Sequence, residues 1–446
     1  MGISNIYIPQ RIRSIMDSLI QAGYEAYAVG GCVRDSLLGQ EPQDWDIATS
    51  ARPQEIKKVF CNYRLIETGL KHGTVTVIFD GEAIEITTYR IDVGYSDKRR
   101  PDKIVFTSQI IEDLARRDFT INACAANEQG IVDPFMGIED IQNRLIRCVG
   151  NPRERLKEDA LRIMRGIRLA SVLDFQVEED TREAMLESTP LLKNISWERI
   201  TEELSKTLLG IRVKKVLWEF KEVISFIIPE ISIDEVCPQY DIHNSYDIYL
   251  HSLKAVDLAK RDKLLRVSLF FHDVAKIACL SQEDNSNYDF RDFAELSVKM
   301  TEKILKRMRF PNRDIQEITI LIKNYNRKII PSLKNVRRVV RELGKARFER
   351  LLKFKRAHAL AEDPSSMVEE LRQIDDLKEI YTEIVTKGLC VDLKDLAING
   401  HDLIELGIPQ GKGVGRLLKK LLDMVLSGEL ENTKPVLLEQ AKKSLI

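Results

Sequence analysis

Apolar and polar positions organise the chain before any single residue does. Residues 24–29, 45–48, 74–79 and 83–89 are rich in β-branched and aromatic side chains and read as strands. Residues 12–22 and 53–60 read as helices, and Pro53 suits a first helical turn. From about residue 153 apolar residues recur at i, i+3 and i+4 almost without interruption, and strand signals nearly vanish. The pattern predicts an α/β head with a small mixed sheet, followed by an all-α remainder. Breaks are expected near Gly150-Asn151-Pro152, near Pro229 to Pro238, and near Pro331. No internal repeat or low-complexity segment is evident.

Composition narrows the class. A chain of 446 residues exceeds the usual single domain, and its 44% apolar content is that of a soluble protein. No apolar run reaches membrane-spanning length. The N-terminus lacks a signal-peptide pattern, and Ile6 stands where a myristoylation motif needs Ser or Thr. Seven scattered cysteines without CxxC or zinc spacing suit reduced thiols in a cytoplasmic protein. The net charge of −1 taken alone argues weakly against nucleic acid. Local patterning matters more. Residues 334–356 (KNVRRVVRELGKARFERLLKFKR) are strongly basic, and smaller clusters lie at Lys98-Arg99-Arg100 and at Lys306-Arg307 with Arg309. Together they suit a phosphate-backbone partner, although any one of them also suits a solvated helix face.

The chemistry concentrates in VGGCVRDSLLGQEPQDWDIATS. If residues 45–47 are extended, Asp44 and Asp46 project from one face. Two such carboxylates can hold two Mg²⁺ ions about 3.5–4 Å apart. One ion would acidify an attacking hydroxyl, and the other would hold a triphosphate and its pyrophosphate leaving group. Gly30 and Gly31 permit close backbone approach, and a helix starting after them favours phosphates. Arg34 would face the same phosphates with a bidentate fork. Glu85, on the neighbouring strand, is the candidate third carboxylate. Residues 94–106 are polar, basic and Gly/Pro-punctuated, and read as a mobile loop. In LARRDFTINA, Arg116 can reach the triphosphate, and Asp118 can orient it or the ribose.

In ERLKEDALRIMRGIRLAS, Asp159, Arg162, Arg165 and Arg168 recur every three residues along one drifting stripe of a predicted helix. Leu161, Ile163, Met164 and Ile167 supply its apolar face, so the stripe can line a cleft. A fixed Asp–Arg pair both accepts and donates, as reading the edge of a base requires.

VGGCVRD, DWDIATSA, LKHGTVTV, EITTYR, RRDFTINA, DPFMGIEDI and EDALRIMRGIRLA occur in order with the right spacing. The chain thereby resembles the bacterial class II tRNA nucleotidyltransferases, the CCA-adding enzymes, within the polymerase-β-like nucleotidyltransferases. The match is strong over residues 22–175 and continues more weakly to the C-terminus. The resemblance implies a catalytic head over 1–150, a helical neck with a nucleotide-selecting helix over 151–210, a helical body over 211–330 and a tRNA-binding tail over 331–446. It implies Asp44 and Asp46 as Mg²⁺ ligands, and Gly31, Arg34 and Arg116 at the triphosphate. Asp159 and Arg162 become an amino-acid template that accepts CTP or ATP and rejects UTP and GTP, with Arg165 and Arg168 as further nucleotide contacts. The expected partner is the acceptor stem and 3′ end of tRNA, bound by a monomer or homodimer. GYSDKRRP looks full length, which disfavours a CC-only enzyme. An A-adding enzyme or poly(A) polymerase remains the alternative within the class.

The helical remainder raises two further possibilities. His251, His272 and Asp273 begin the pattern of a metal-dependent HD phosphohydrolase. Its next histidine is expected where Ala294 stands, and no histidine lies between His272 and His358. Three ligands do not make the usual two-metal site, so a vestigial body is expected, with His243 and His251 in packing or hydrogen-bonding roles. A non-catalytic RNA-binding protein is the other alternative outside the class. The glycine-rich turn at 407–415 precedes a helix predicted over 416–422, and its backbone N–H groups suit either a phosphate or a structural turn.

Overall fold

The strand-forming residues of the first third assemble into one seven-stranded sheet in a computed structural model that describes residues 6–94, 102–231, 245–280, 293–362 and 364–444. Its strands are β1 (Ala26–Val29), β2 (Asp46–Thr49), β3 (Arg64–Ile66), β4 (Thr74–Phe79) and β5 (Glu82–Thr88), followed after a separate ribbon of β6 (Arg90–Val93) and β7 (Lys103–Phe106) by β8 (Ala125–Asn127) and β9 (Gly130–Val132). The order across the sheet is β3-β4-β5-β2-β1-β8-β9. β2 and β5 run parallel, and the other neighbours are antiparallel.

The four predicted strands are β1, β2, β4 and β5, with ends moved by a residue or two. β8 and β9 were not legible in the pattern, because AANEQGIV carries few branched residues; pairing with β1 makes them strands. The loop expected over 94–106 is shorter than that. Lys103–Phe106 pairs antiparallel with β6, and residues 95–101 lie outside the described residues, as does the Lys98-Arg99-Arg100 cluster.

Both faces of the sheet are covered. Trp45, Ile47 and Ile86 point into one core with Ile12, Val33 and Ile56. The adjacent Ala48 points the other way, into a cluster with Val29, Tyr89, Leu114 and Val149. Helices α1 (Gln10–Gln21), α2 (Gly31–Leu37) and α3 (Pro53–Val59) belong to the first face, and α4 (Ile110–Ala115) to the second.

Beyond the sheet follow α5 (Gly137–Gln142), α6 (Pro152–Glu158), α7 (Leu161–Leu173), α8 (Glu179–Ser188), α9 (Trp197–Leu208), α10 (Val213–Glu219) and α11 (Lys221–Ile227). One short parallel pair, β10 (Leu145–Ile146) with β11 (Gln176–Val177), interrupts the helical run. The Asn151 side chain accepts the N–H groups of Arg153 and Glu154 and so caps α6. The helix then breaks at Asp159, which is extended at φ −140° and ψ 104°. Asp159 is therefore not part of the α7 stripe. Its Oδ1 accepts the Leu161 N–H at 3.0 Å, where α7 begins.

Contacts divide the chain into two compact units, Met1–Pro229 and Glu230–Ile446. The described part of the second unit is helical: α12 (Ser245–Leu258), α13 (Lys263–Phe271), α14 (Val274–Leu280), α15 (Phe293–Arg307), α16 (Asn312–Asn324), α17 (Leu333–Leu343), α18 (Lys345–Ala361), α19 (Pro364–Thr386), α20 (Gly400–Glu405), α21 (Lys412–Ser427) and α22 (Lys434–Lys443). The helix predicted over 416–422 thus begins four residues earlier, and Gly413 and Gly415 fall in its first turn.

The basic stretch at 334–356 occupies α17 and α18, and much of its charge is used within the unit. Arg337, 7% exposed, donates to the carbonyls of Cys390 and Val425. Arg341 pairs with Asp423, Arg347 and Arg350 with Glu317, Lys353 with Glu349, and Arg356 with Asp375. Lys355 reaches the carbonyls of Tyr325 and Arg327, and burial lowers its amine to about 8. Lys306 and Arg307 are likewise paired, with Glu302 and Glu230. The free basic surface that the sequence suggests is correspondingly reduced. Among the described residues no helix is long and apolar enough to cross a membrane.

Candidate active site

Trp45 and Ile47 turn into the core, while Asp44 and Asp46 remain on the open side of the chain. This is the alternation of an extended backbone. Asp46 lies opposite Glu85 in the parallel β2–β5 ladder, so three carboxylates share one end of the sheet. Burial raises the Asp46 carboxyl above its ordinary pKa; Arg117 opposes the rise, and the charges of Glu85 and Asp44 add to it. The three do not close into a group whose ligand atoms all lie within 4.8 Å. Carboxylate oxygens are nevertheless the donor type that suits Mg²⁺.

Asp44 and Asp46 stand between two cavities. The larger, about 600 Å³, runs from Gly30 and Gly31 to Asp159 and Arg162. Its lining includes seven arginines (34, 116, 117, 162, 165, 168 and 199) against four aspartates (44, 46, 118 and 159), so it is built for a strongly anionic ligand. The smaller, about 430 Å³, shares Asp44 and Asp46 and adds Arg11, Glu82 and Glu85.

Each cavity group has a local cause. Gly30 sits at φ 81° and ψ −130°, just before α2 begins at Gly31. A β-carbon there would lie 2.8 Å from Arg117 Nη1. Arg34 donates through Nε and Nη2 to Asp35 and through Nη1 to Asn122 Oδ1 at 2.7 Å. Asp113 is 1% exposed and holds Arg116 at 2.8 Å and Arg117 at 3.3 Å. Burial alone would raise the Asp113 carboxyl, but the two guanidinium groups outweigh it and hold it below the ordinary carboxylate range. The sequence pointed to Arg116. Arg117, Asp113 and Asn122 were missed, although the doubled arginine before Asp118 was a visible signal.

On the far wall Asp118 is buried, and Arg165 Nε and Nη2 reach its Oδ2 at 2.7 and 2.6 Å. Asp118 therefore positions Arg165 within the first unit. Arg168 donates to Glu203 at 2.6 Å. The Asp159 and Arg162 side chains are not bonded to each other, and each is held by other groups. Asp159 accepts from Arg199, on α9, at 2.8 Å, while Arg162 donates to Glu158 and to the carbonyls of Arg155 and Arg116. Both residues line the cavity; Glu158 is an i,i+4 neighbour of Arg162, whereas Arg199 is 40 residues from Asp159 and could not be read from local spacing.

Three family profiles match the chain. Residues 26–147 match the poly A polymerase head domain, 174–232 the probable RNA and SrmB-binding site of polymerase A, and 290–441 a putative tRNA nucleotidyltransferase domain 2. The chain is 36% identical to the CCA-adding enzyme of Limosilactobacillus reuteri, over 97% of this chain and 96% of that one. It is 37% identical to the CCA-adding enzyme of Enterococcus faecalis, over 94% and 92% respectively. Among solved structures it resembles the Bacillus stearothermophilus CCA-adding enzyme in complex with CTP, with a TM-score of 0.69, 30% identity and 98% of both chains covered.

Proposed function

Since the chain belongs to the CCA-adding enzymes, the nucleotidyltransferases that complete the 3′ end of tRNA, we propose that Asp44, Asp46 and Glu85 carry the transfer of C, C and A from CTP and ATP. The observation that carries this reading is the position of the two aspartates between an arginine-rich cavity and a second cavity lined by Glu85. A nucleoside triphosphate fits the first, and the acceptor 3′ end fits the second. Asp44 and Asp46 then lie where the 3′ hydroxyl meets the α-phosphate.

Asp44 and Asp46 would hold Mg²⁺, with Glu85 as a neighbouring carboxylate. The chemistry the ions supply when bound is activation of the hydroxyl and neutralisation of the departing pyrophosphate. The residues of the chain do the rest. Gly30 and Gly31 leave the backbone at the start of α2 open to phosphate oxygens. Arg34, Arg116 and Arg117 hold the triphosphate, the last two set by Asp113. Asp159 and Arg162 present the pairing edge for cytosine or adenine, Arg199 orients Asp159, and Arg165 and Arg168 contact the nucleotide. The head, neck, body and tail of this reading are 1–150, 151–210, 211–330 and 331–446. The first turn of α21, with its exposed Gly413 and Gly415, suits an RNA phosphate. The reading places the enzyme in the cytoplasm.

Incubating the protein with tRNA lacking its CCA end, labelled CTP, ATP and Mg²⁺ tests this. Addition of two C and one A is expected, with a loss of about a thousandfold in Asp44→Ala. Incorporation of ATP without CTP would move the reading to an A-adding or poly(A) enzyme. Unchanged incorporation by Asp44→Ala would remove the carboxylate assignment.

A further inference from the structure

His358 was invisible as a partner of the HD-like pair, because it lies on α18, far along the chain. In the second unit it meets His251 of α12 and His272, the residue that ends α13. The three ring centroids lie 5.0–5.5 Å apart, and one ligand nitrogen from each falls within 4.8 Å of the other two. We infer that His251, His272 and His358 form a binding site for one divalent transition cation of the zinc or nickel class.

Two features besides proximity carry this. The Nε2 atoms of His251 and His272 are buried and make no hydrogen bond among the described residues. Buried polar atoms are rarely left so, and each such atom calls for a ligand or another explanation. Moreover, His272 Nδ1 lies 2.7 Å from the Leu269 carbonyl, which can only accept. That contact places the ring proton on Nδ1 and leaves the Nε2 lone pair without a donor, 3.3 Å from Asp273 Oδ2, the tautomer that metal-bound histidines adopt.

The donor set selects the ion. Three imidazoles suit zinc, nickel, cobalt or copper, whereas Mg²⁺ takes oxygen. Glu362 Oε1 lies 3.5 Å from His358 Nε2 and 3.9 Å from His251 Nε2, so negative charge adjoins the site. Ligand nitrogens of a tetrahedral zinc centre stand about 3.3 Å apart, so nitrogens within 4.8 Å of one another need to close by at most about 1.5 Å.

The site differs from a two-metal hydrolase. Asp273 is already engaged, through Oδ1 by the Tyr325 hydroxyl at 3.0 Å and through Oδ2 by Lys276 at 2.9 Å, and its Oδ2 also lies 3.3 Å from His272 Nε2. With Ala294 in place of a further histidine, no second group of metal ligands adjoins the site among the described residues.

The full chain, stripped with a chelator and held in excess Mg²⁺, should be titrated with Co²⁺ and then Zn²⁺. One equivalent of Co²⁺ should bind, with a visible d–d band that Zn²⁺ displaces. His251→Ala and His358→Gln should weaken Co²⁺ binding roughly tenfold or more while keeping the wild-type helical circular dichroism. Asp44→Ala should bind as wild type does. Absence of stoichiometric binding, or binding that survives in both folded histidine variants, would overturn the proposal and leave three packing histidines. Loss of binding in Asp44→Ala would overturn it by locating the ion at the head carboxylates.

Discussion

Asp159 and Arg199 are joined across 40 residues of chain, with Arg199 Nη2 at 2.8 Å from Asp159 Oδ2. Asp159 belongs to the extended residue between α6 and α7, and Arg199 to α9. The carboxylate proposed to read the base is thus oriented by a third helix.

Arg199→Ala should relax nucleotide choice. Removing the partner that holds Asp159 should cost about 1–3 kcal/mol of discrimination against UTP, the worth of one well-placed bidentate contact. Ratios of kcat/KM for CTP and UTP would reveal it. Arg199→Lys should recover part of the loss, since it keeps the charge but not the fork. Discrimination that is unaltered in Arg199→Ala would sever Asp159 from Arg199.

The Asp118–Arg165 pair should make stability depend on pH in a defined direction. Burial alone would raise the Asp118 carboxyl, but Arg165 and then Arg162 hold it well below the ordinary carboxylate range. A carboxyl whose folded pKa is depressed adds stability that is fully present above the unfolded value, about pH 4, and lost as pH falls through the folded one. Asp118→Asn should cost about 2 kcal/mol at neutral pH, less than a fully enclosed pair because Arg165 is 37% exposed. Urea denaturation should show the gap from wild type narrowing below about pH 4. A gap that stays constant under acid would contradict the assignment.

Gly30→Ala should impair nucleotide binding before it impairs folding. At φ 81° and ψ −130° the position is reserved for glycine, and the strain is about 1–3 kcal/mol. The added carbon would also meet Arg117 Nη1 at 2.8 Å, and that guanidinium would have to leave the cavity wall. KM for CTP should rise more than kcat falls. An unchanged KM would show that Arg117 is not a triphosphate group.

Arg337→Met should lower stability without altering RNA recognition. Arg337 lies in the most basic part of the sequence, yet it donates to two buried carbonyls. Leaving them unsatisfied should cost about 1–3 kcal/mol in urea unfolding. The slope of log affinity for tRNA against log salt should stay at the wild-type value, since no phosphate contact is removed. A slope reduced by about one would mean that Arg337 meets phosphate after all.

Much of the head was legible because its signals are local. β4 is predicted to the residue, and β1, β2 and β5 to within two, since alternation of branched and polar residues is a property of consecutive positions. The same alternation placed Asp44 and Asp46 on one face. Glu85 needed only the further guess that its strand neighbours β2. The arginine helix was half legible. Its spacing was plain, but an extended Asp159 looks like another helical residue until the chain is seen to break there.

The α/β head, the helical remainder, the alternation that sets Asp44 and Asp46 to one side and the family were all readable in residue types at short, fixed spacings. Which partner each charge takes was set by tertiary packing. Asp159 went to Arg199 rather than Arg162, and most of the basic stretch went to acids and carbonyls of its own unit. His358 joined two histidines that sequence spacing had left incomplete. The physical reason is common to all three. A buried or half-buried charge or lone pair is settled by whichever group the packed helices bring within about 3 Å, and that is a matter of tertiary packing, which spacing along the chain does not encode.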